Sequence, residues 1–300
     1  MPEYPDVTVY TEKLNELVKG KTIENIRIVS FFLVRTANPP IASVKGKTVD
    51  YVERMGKRIV FILNGEYYLV VHLMIAGRFH WKPEGARIPK SNGLAAIDFP
   101  NGTLILTETG SKKMASMHLF HEKSKLDEIN PHGLEIFETT LSRFKEILVS
   151  ENHTLKRALT DPYLFSGIGN AYSDEILHRA GLSPILLTQK MDDKSIEILF
   201  QATKDILKEW TERLRNEARN GFPENVTAFH DEMAVHGKFG KPCPVCGTQI
   251  QRIRYESNET NYCPKCQTGG KLLADRALSR LLKSDWPKTV EDWEKLFVKK

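Results

Sequence analysis

The sequence predicts an α+β, multidomain chain: an antiparallel β domain, then an all-helical domain, then a small metal-stapled ribbon. Three observations carry this. Two Asn-Gly dipeptides, Asn64-Gly65 and Asn101-Gly102, each sit between β-rich runs, and Asn-Gly accepts φ > 0 at both central turn positions. Beyond Pro131 the apolar residues recur at helical spacing instead. The four cysteines of the 300 residues, Cys243, Cys246, Cys263 and Cys266, read C-x2-C, sixteen residues, C-x2-C.

In chain order, a short helix comes first, with Pro5 and Asp6 suited to its first turn and Gly20 to its end. The hairpins then pair Arg58–Leu63 with Glu66–Leu73 and Leu94–Phe99 with Thr103–Thr107. Helical spacing covers Thr140–Val149. Thr154 can cap Leu155–Thr160, and Asn170 can cap Ala171–Ala180, with Gly181 at its end and Pro184 beyond. Met191–Ala218 reads as one long amphipathic helix, apolar at Ile196, Leu199, Ala202, Ile206 and Trp210. The tail from Lys271 has helical leucines (Leu272, Leu273, Leu278, Leu281, Leu282) that read as a packing face. The expected boundaries are 1–130, 131–234, 235–267 for the ribbon, and a 268–300 extension without an assigned role.

Composition narrows the class. A hydrophobic fraction of 41% supports real cores, and no apolar run reaches the ~18 residues of a membrane span. The start, Met-Pro-Glu, is neither basic nor apolar, so a cytoplasmic protein without a membrane partner is expected. The formal charge is +5, and all of it lies in the last sixty residues, where twelve Lys and Arg face seven Asp and Glu. That bias permits an anionic partner without requiring one.

The chemistry-bearing residues are few. Thiolates on two tight turns suit one tetrahedral Zn²⁺ with no open position, hence a structural zinc; two disulfides are the alternative, disfavoured in a chain without a targeting segment. Pro2, once Met1 is removed, is a secondary amine that can attack a sugar carbon and form an iminium, with Glu3 beside it to move protons. A first residue and a helix lead-in are the plainer account of the same letters. Ser166-Gly167-Ile168-Gly169-Asn170 offers amides at a helix start to an anion such as phosphate, or is an ordinary tight turn. Lys156 and Arg157 can reach that backbone, Lys156 as an expected contact to DNA phosphate, or lie on a solvated face. Lys57, in Gly56-Lys57-Arg58, starts a hairpin strand.

Together these elements resemble the formamidopyrimidine-DNA glycosylase/endonuclease VIII family. Met1-Pro2-Glu3-Tyr4-Pro5-Asp6 is similar to its M-P-E-x-P-E opening. Leu155 to Asp161, then Gly167 to Glu175, resemble its helix-two-turn-helix segment, and Val235 to Gln267 its zinc finger. The resemblance implies an N-terminal β-sandwich with its helix, an α-helical helix-two-turn-helix domain and a C-terminal zinc ribbon. It implies a bifunctional DNA glycosylase/AP lyase acting on double-stranded DNA with a damaged base or abasic site, as a monomer, the DNA lying between the halves with the base flipped out. Pro2 is then the nucleophile at C1′, Glu3 the acid that helps open the sugar, and Lys57 a phosphate contact near the lesion. Asn170 binds the phosphate beside the flipped nucleotide, and Glu175 falls on an acidic position of the second short helix.

Three departures stand out. The family's Arg- and Phe-bearing loop corresponds to Thr107 to Lys113, where Lys112 and Lys113 stand instead. Its methionine wedge falls on Ile75, with Met74 as an alternative. Its phosphate-clamping zinc-finger arginine maps to Asn258, leaving Arg252 or Arg254 to supply that charge. The altered loop favours a rival reading, a non-catalytic damage- or structure-specific DNA binder on the same scaffold; a third reading is a zinc-ribbon protein-interaction module, for which Pro2, Glu3 and Lys57 have no use.

Overall fold

The structure is a computed structural model that describes residues 1–224, 226–255, 258–274 and 280–297. The chain divides into two compact units, Met1–His132 with Lys208–Ala228, and Gly133–Leu207 with Phe229–Lys300.

The first unit is a β-sandwich with a helix on it. Helix α1 (Tyr4–Val18) starts with a capping box in which Glu3 N–H donates to Asp6 Oδ2 at 2.8 Å, and Pro5 lies in the first turn. Strands β1 (Asn25–Ile28), β2 (Val49–Met55), β3 (Arg58–Leu63), β4 (Tyr67–His72), β5 (Gly77–Lys82), β6 (Gly93–Phe99), β7 (Gly102–Glu108) and β8 (Ser116–His121) follow. They form two antiparallel sheets, ordered β1-β6-β7-β5 and β2-β3-β4-β8. Alternation along β3 splits its apolar residues between two cores. Ile59, Phe61 and Leu63 face the other sheet and α1, where Val7, Tyr10, Leu14 and Val18 are fully buried. Val60 and Ile62 face outward and are covered by Tyr68, Phe120 and Leu126. Each such buried side chain contributes roughly 1.5–3 kcal/mol.

The hairpins occur where expected, but their turns are built differently. Leu63 pairs with Tyr67, so the loop has three residues, and the left-handed conformation falls on Gly65 and Glu66 rather than on Asn64 and Gly65. Asn64 instead accepts from Thr48 N–H through Oδ1 at 2.9 Å. In the second hairpin Phe99 pairs with Gly102, which makes Pro100-Asn101 the loop. Gly102 is needed for space: a Cβ there would lie 2.5 Å from the Trp81 ring.

The second unit contains helices α2 (Leu141–Val149), α3 (Leu155–Thr160), α4 (Asn170–Ala180) and the first part of α5 (Asp193–Glu217). Thr140 and Thr154 cap α2 and α3, accepting from Arg143 and Arg157 N–H. Gly181 ends α4 in the left-handed conformation. Asn170 is not the cap of α4. Gly169 holds that position and Asn170 is the first helical residue, which frees its carboxamide for other work. Ile196, Leu199, Ala202, Ile206 and Trp210 are all buried, as their spacing predicts.

A β-ribbon, β9 (Gln251–Tyr255) with β10 (Asn258–Tyr262), and a short helix α6 (Pro264–Thr268) follow. The tail carries a further helix over Val290–Phe297. Of the tail leucines, Leu272 is buried while Leu281 is exposed, and Leu278 lies outside the described residues. Among the described residues, no helix is long and apolar enough to cross a membrane.

Candidate active site and metal centre

One end of the sandwich collects most of the candidate residues of the first unit. Arg58, His72 and Ser116 are register partners, as are Gly77 and Glu108. The Gly56-Lys57 turn, the Leu73–Ala76 turn and the loop from Thr109 to Ala115 therefore leave the sheets at the same end. The start of α1 joins them: the Arg54 guanidinium sits 4.2 Å from the centroid of the Tyr4 ring, one residue before the end of β2.

Pro2 and Glu3 are both buried there. Burial lowers the pKa of the N-terminal amine; Arg78 and Lys57 push the same way, while Glu3 and Asp6 oppose. Lys57 is thus close enough to act on the N-terminus electrostatically. Ile75 projects from its turn with 64% exposure, and its neighbour Met74 takes a left-handed φ of 52°. Lys112 is exposed on the opposing loop. Lys113 is not: its ammonium donates to the Glu108 carbonyl, and the Glu108 carboxylate in turn accepts from Met114 and Ala115 N–H.

Four further residues of the first unit have no functional role assigned from local sequence. Arg78 braces the Leu73–Ala76 turn, its guanidinium donating to the carbonyls of Ile75 at 3.2 Å and Gly77 at 2.6 Å. His72 is held down at about 3 by burial, with Arg58, Lys57 and His118 adding to the effect, so it is a neutral imidazole. Asp6 is 2% exposed, and its Oδ1 has no hydrogen-bond partner. Burial raises its pKa to about 7 despite the bond from Glu3 N–H. Asp6 lines a cavity of about 210 Å³ together with Val9, Leu214, Phe222 and Glu224. Glu224 is fixed by Lys82, whose Nζ donates to both carboxylate oxygens at 2.7 and 2.8 Å. The sequence signals for Asp6 are its place in the opening motif and in the first turn of α1, and Glu224 carries none.

The second unit assembles the rest. Asn170 Nδ2 donates to the Glu259 carbonyl on β10 at 2.9 Å, which joins the glycine-rich turn to the ribbon. The Glu259 carboxylate meets Arg252 at 3.4 Å and Arg254 at 3.1 Å, and Arg252 also stacks on Phe239. Arg254 remains about half exposed, and Asn258 and Arg157 are exposed.

Lys156, read from sequence as a phosphate contact, is placed as a strut. Its ammonium donates to Asn170 O at 2.6 Å, Ser173 Oγ at 2.8 Å and Asp174 Oδ1 at 2.5 Å, which uses all three of its donors. Glu175 is likewise a buried anchor. Its carboxylate accepts from the N–H groups of Ala234, Val235 and His236. Burial raises its pKa, against those three bonds.

The four cysteines converge, their sulfurs all within 4.8 Å of one another and in no disulfide. Sγ separations of 3.9 Å for Cys243–Cys266 and 3.4 Å for Cys246–Cys263 suit a tetrahedron with metal–sulfur bonds of about 2.3 Å. The arrangement fits a closed four-thiolate metal site.

Residues 1–116 match the formamidopyrimidine-DNA glycosylase N-terminal domain, residues 134–218 the formamidopyrimidine-DNA glycosylase H2TH domain, and residues 240–269 a zinc finger found in FPG and IleRS. The chain is 31% identical over 277 residues to formamidopyrimidine-DNA glycosylase of Bacillus subtilis, covering 89% of this chain and 99% of the relative. It is 29% identical over 276 residues to that of Listeria innocua, covering 89% of this chain and all of the relative. Among solved structures it is similar to the complex of Lactococcus lactis Fpg with DNA containing an abasic site. That match has a TM-score of 0.79 at 25% identity and covers 89% of this chain and 99% of the other.

Proposed function

Because this chain belongs to the formamidopyrimidine-DNA glycosylase family, we propose that it is a bifunctional DNA glycosylase/AP lyase of base-excision repair. The observation that carries the reading is the N-terminus: Pro2 and Glu3 are buried at the cationic end of the sandwich, one hydrogen bond from Asp6 and its cavity. Removal of Met1 would expose the Pro2 nitrogen as a secondary amine, beside the place where burial lowers the pKa of the Met1 amine. That nitrogen attacks C1′ of the damaged nucleotide as the base departs, and Glu3 supplies the proton that opens the sugar. The resulting iminium makes the strand cleavable by elimination. Lys57, Arg58 and Lys112 would neutralise phosphates around the lesion, Ile75 would fill the space left in the helix, and the Asp6 cavity would take the extruded base.

The second unit would grip the backbone through the Asn170 turn and Arg254. Its four cysteines would hold one structural Zn²⁺, as thiolates with no open position for chemistry.

Borohydride trapping on a duplex with an abasic site tests this. The full-length protein should form a covalent complex, and an N-terminal tag that cannot be removed should abolish it. Trapping by the tagged protein would transfer the nucleophile to an internal lysine. DNA binding without any trapping would favour the second reading, a non-catalytic binder, for which the missing Arg and Phe of the Thr107 to Lys113 loop speak.

A further inference from the structure

Helix α4 reaches the metal site directly. His178, in its last turn, is 8% exposed, and its Nε2 lies 3.3 Å from Cys243 Sγ. A metal-bound cysteine is a thiolate and can only accept, so the imidazole proton must sit on Nε2 and point at the sulfur. Cys243 itself is 3% exposed, so water does not replace this donor. The same helix carries two more anchors to the ribbon. Asp174 Oδ2 binds His236 Nδ1 at 2.8 Å and accepts from Asn261 N–H at 3.1 Å, and Glu175 holds the Ala234–His236 amides.

We propose that His178 is a positioning residue of the metal centre, orienting the Cys243 thiolate through an N–H···S bond and so making α4 part of that centre. Partners of metal ligands fix ligand orientation and electron density, and losing one costs about 10- to 100-fold in metal affinity. The consequence reaches the other end of α4, where Asn170 holds the ribbon carbonyl of Glu259. A metal ligand and a proposed phosphate contact would then hang from one rigid helix.

The inference rests on reading the four cysteines as a zinc site. Two full-length variants test it: His178→Phe keeps a ring but removes the donor, and His178→Gln keeps an N–H. Zinc transfer to a chromogenic chelator should be about 10- to 100-fold faster in His178→Phe, and His178→Gln should recover part of that loss. In Co²⁺-substituted protein, the thiolate-to-metal absorption band should move in His178→Phe and return toward wild type in His178→Gln. Release and spectrum unchanged in His178→Phe would overturn the proposal, as would equal losses in both variants, which mark the imidazole as packing alone. Should His178→Phe fail to fold, His178→Leu, which also lacks the donor, takes its place with the same expected and overturning results. A wild-type protein that binds no zinc would instead sink the zinc reading beneath it.

Discussion

At the scale of single residues, burial and partners decide roles that letters leave open. Asp6 and Lys156 show this in opposite senses. Asp6 is a buried acid whose pKa rises from an ordinary 3.8 to about 7. The native state therefore holds a proton that the unfolded chain gives up between those values, and stability falls as pH rises through that window. Asp6→Asn should unfold like wild type near pH 4 and be more stable at pH 8, by an amount on the order of a few kcal/mol. Urea titrations at the two pH values measure it, and a difference that does not grow with pH would show that the carboxyl is ionised in the fold. The sequence offers Lys156 as a phosphate contact, yet its partner Asp174 lies 18 residues away and cannot be read from local sequence. Lys156→Met would leave Oδ1 of the buried Asp174 carboxylate without its ammonium partner and should cost on the order of 3 kcal/mol in urea unfolding. A variant of wild-type stability with a shallower salt dependence of DNA binding would restore the phosphate role.

At the scale of elements, what was legible is what is local. Thr140, Thr154 and Gly181 end helices through bonds within a few residues, and their letters announce it. Asn64-Gly65 and Asn101-Gly102 mark real hairpins, but strand register moved the turn residues by one, because register is fixed across the sheet and not in the turn. Asn170 was misplaced by one position for a related reason: Gly169 can adopt the extended cap conformation, and a ribbon carbonyl claims the Asn170 side chain. The β4–β5 turn illustrates an element whose function depends on one glycine. Gly77 N–H donates to Leu73 O at 2.9 Å, closing the turn that presents Ile75, and a Cβ at Gly77 would overlap that same carbonyl oxygen. Gly77→Ala should therefore open the turn, costing about 1–3 kcal/mol by overpacking. Covalent trapping of abasic DNA should weaken with it, whereas Ile75→Leu should keep the turn and most of the trapping. Unchanged stability and trapping in Gly77→Ala would remove the turn from the site.

At the scale of the whole molecule, the β-sandwich and the cysteine ribbon draw stability from different sources. The β-sandwich has a large apolar core from both sheets and α1. The ribbon's cluster is small, with Val235 and Ile250 packed on Cys243 and Cys263, so on the proposed zinc reading much of its folding free energy comes from the metal. The order of units was readable because period and cysteine spacing are sequence properties; the pairing of α5 with both units was not, since one amphipathic pattern runs through the junction at Leu207 and Lys208. Chelation should therefore act unevenly. After zinc is stripped from the full-length protein, amides of Gln251–Tyr255 and Asn258–Tyr262 should lose protection from hydrogen exchange, because beyond the anchors from α4 their apolar support is small. The anchors from α4 predict that protection also weakens at Ala234–His236, whose N–H groups depend on Glu175. Amides of Arg58–Leu63 and Tyr67–His72 should exchange as before, since Ile59, Phe61, Leu69 and Val71 lie in a core that no metal touches. Uniform loss of protection in both sets would mean that the metal supports the entire fold, and no loss in the ribbon would mean that its core suffices without it.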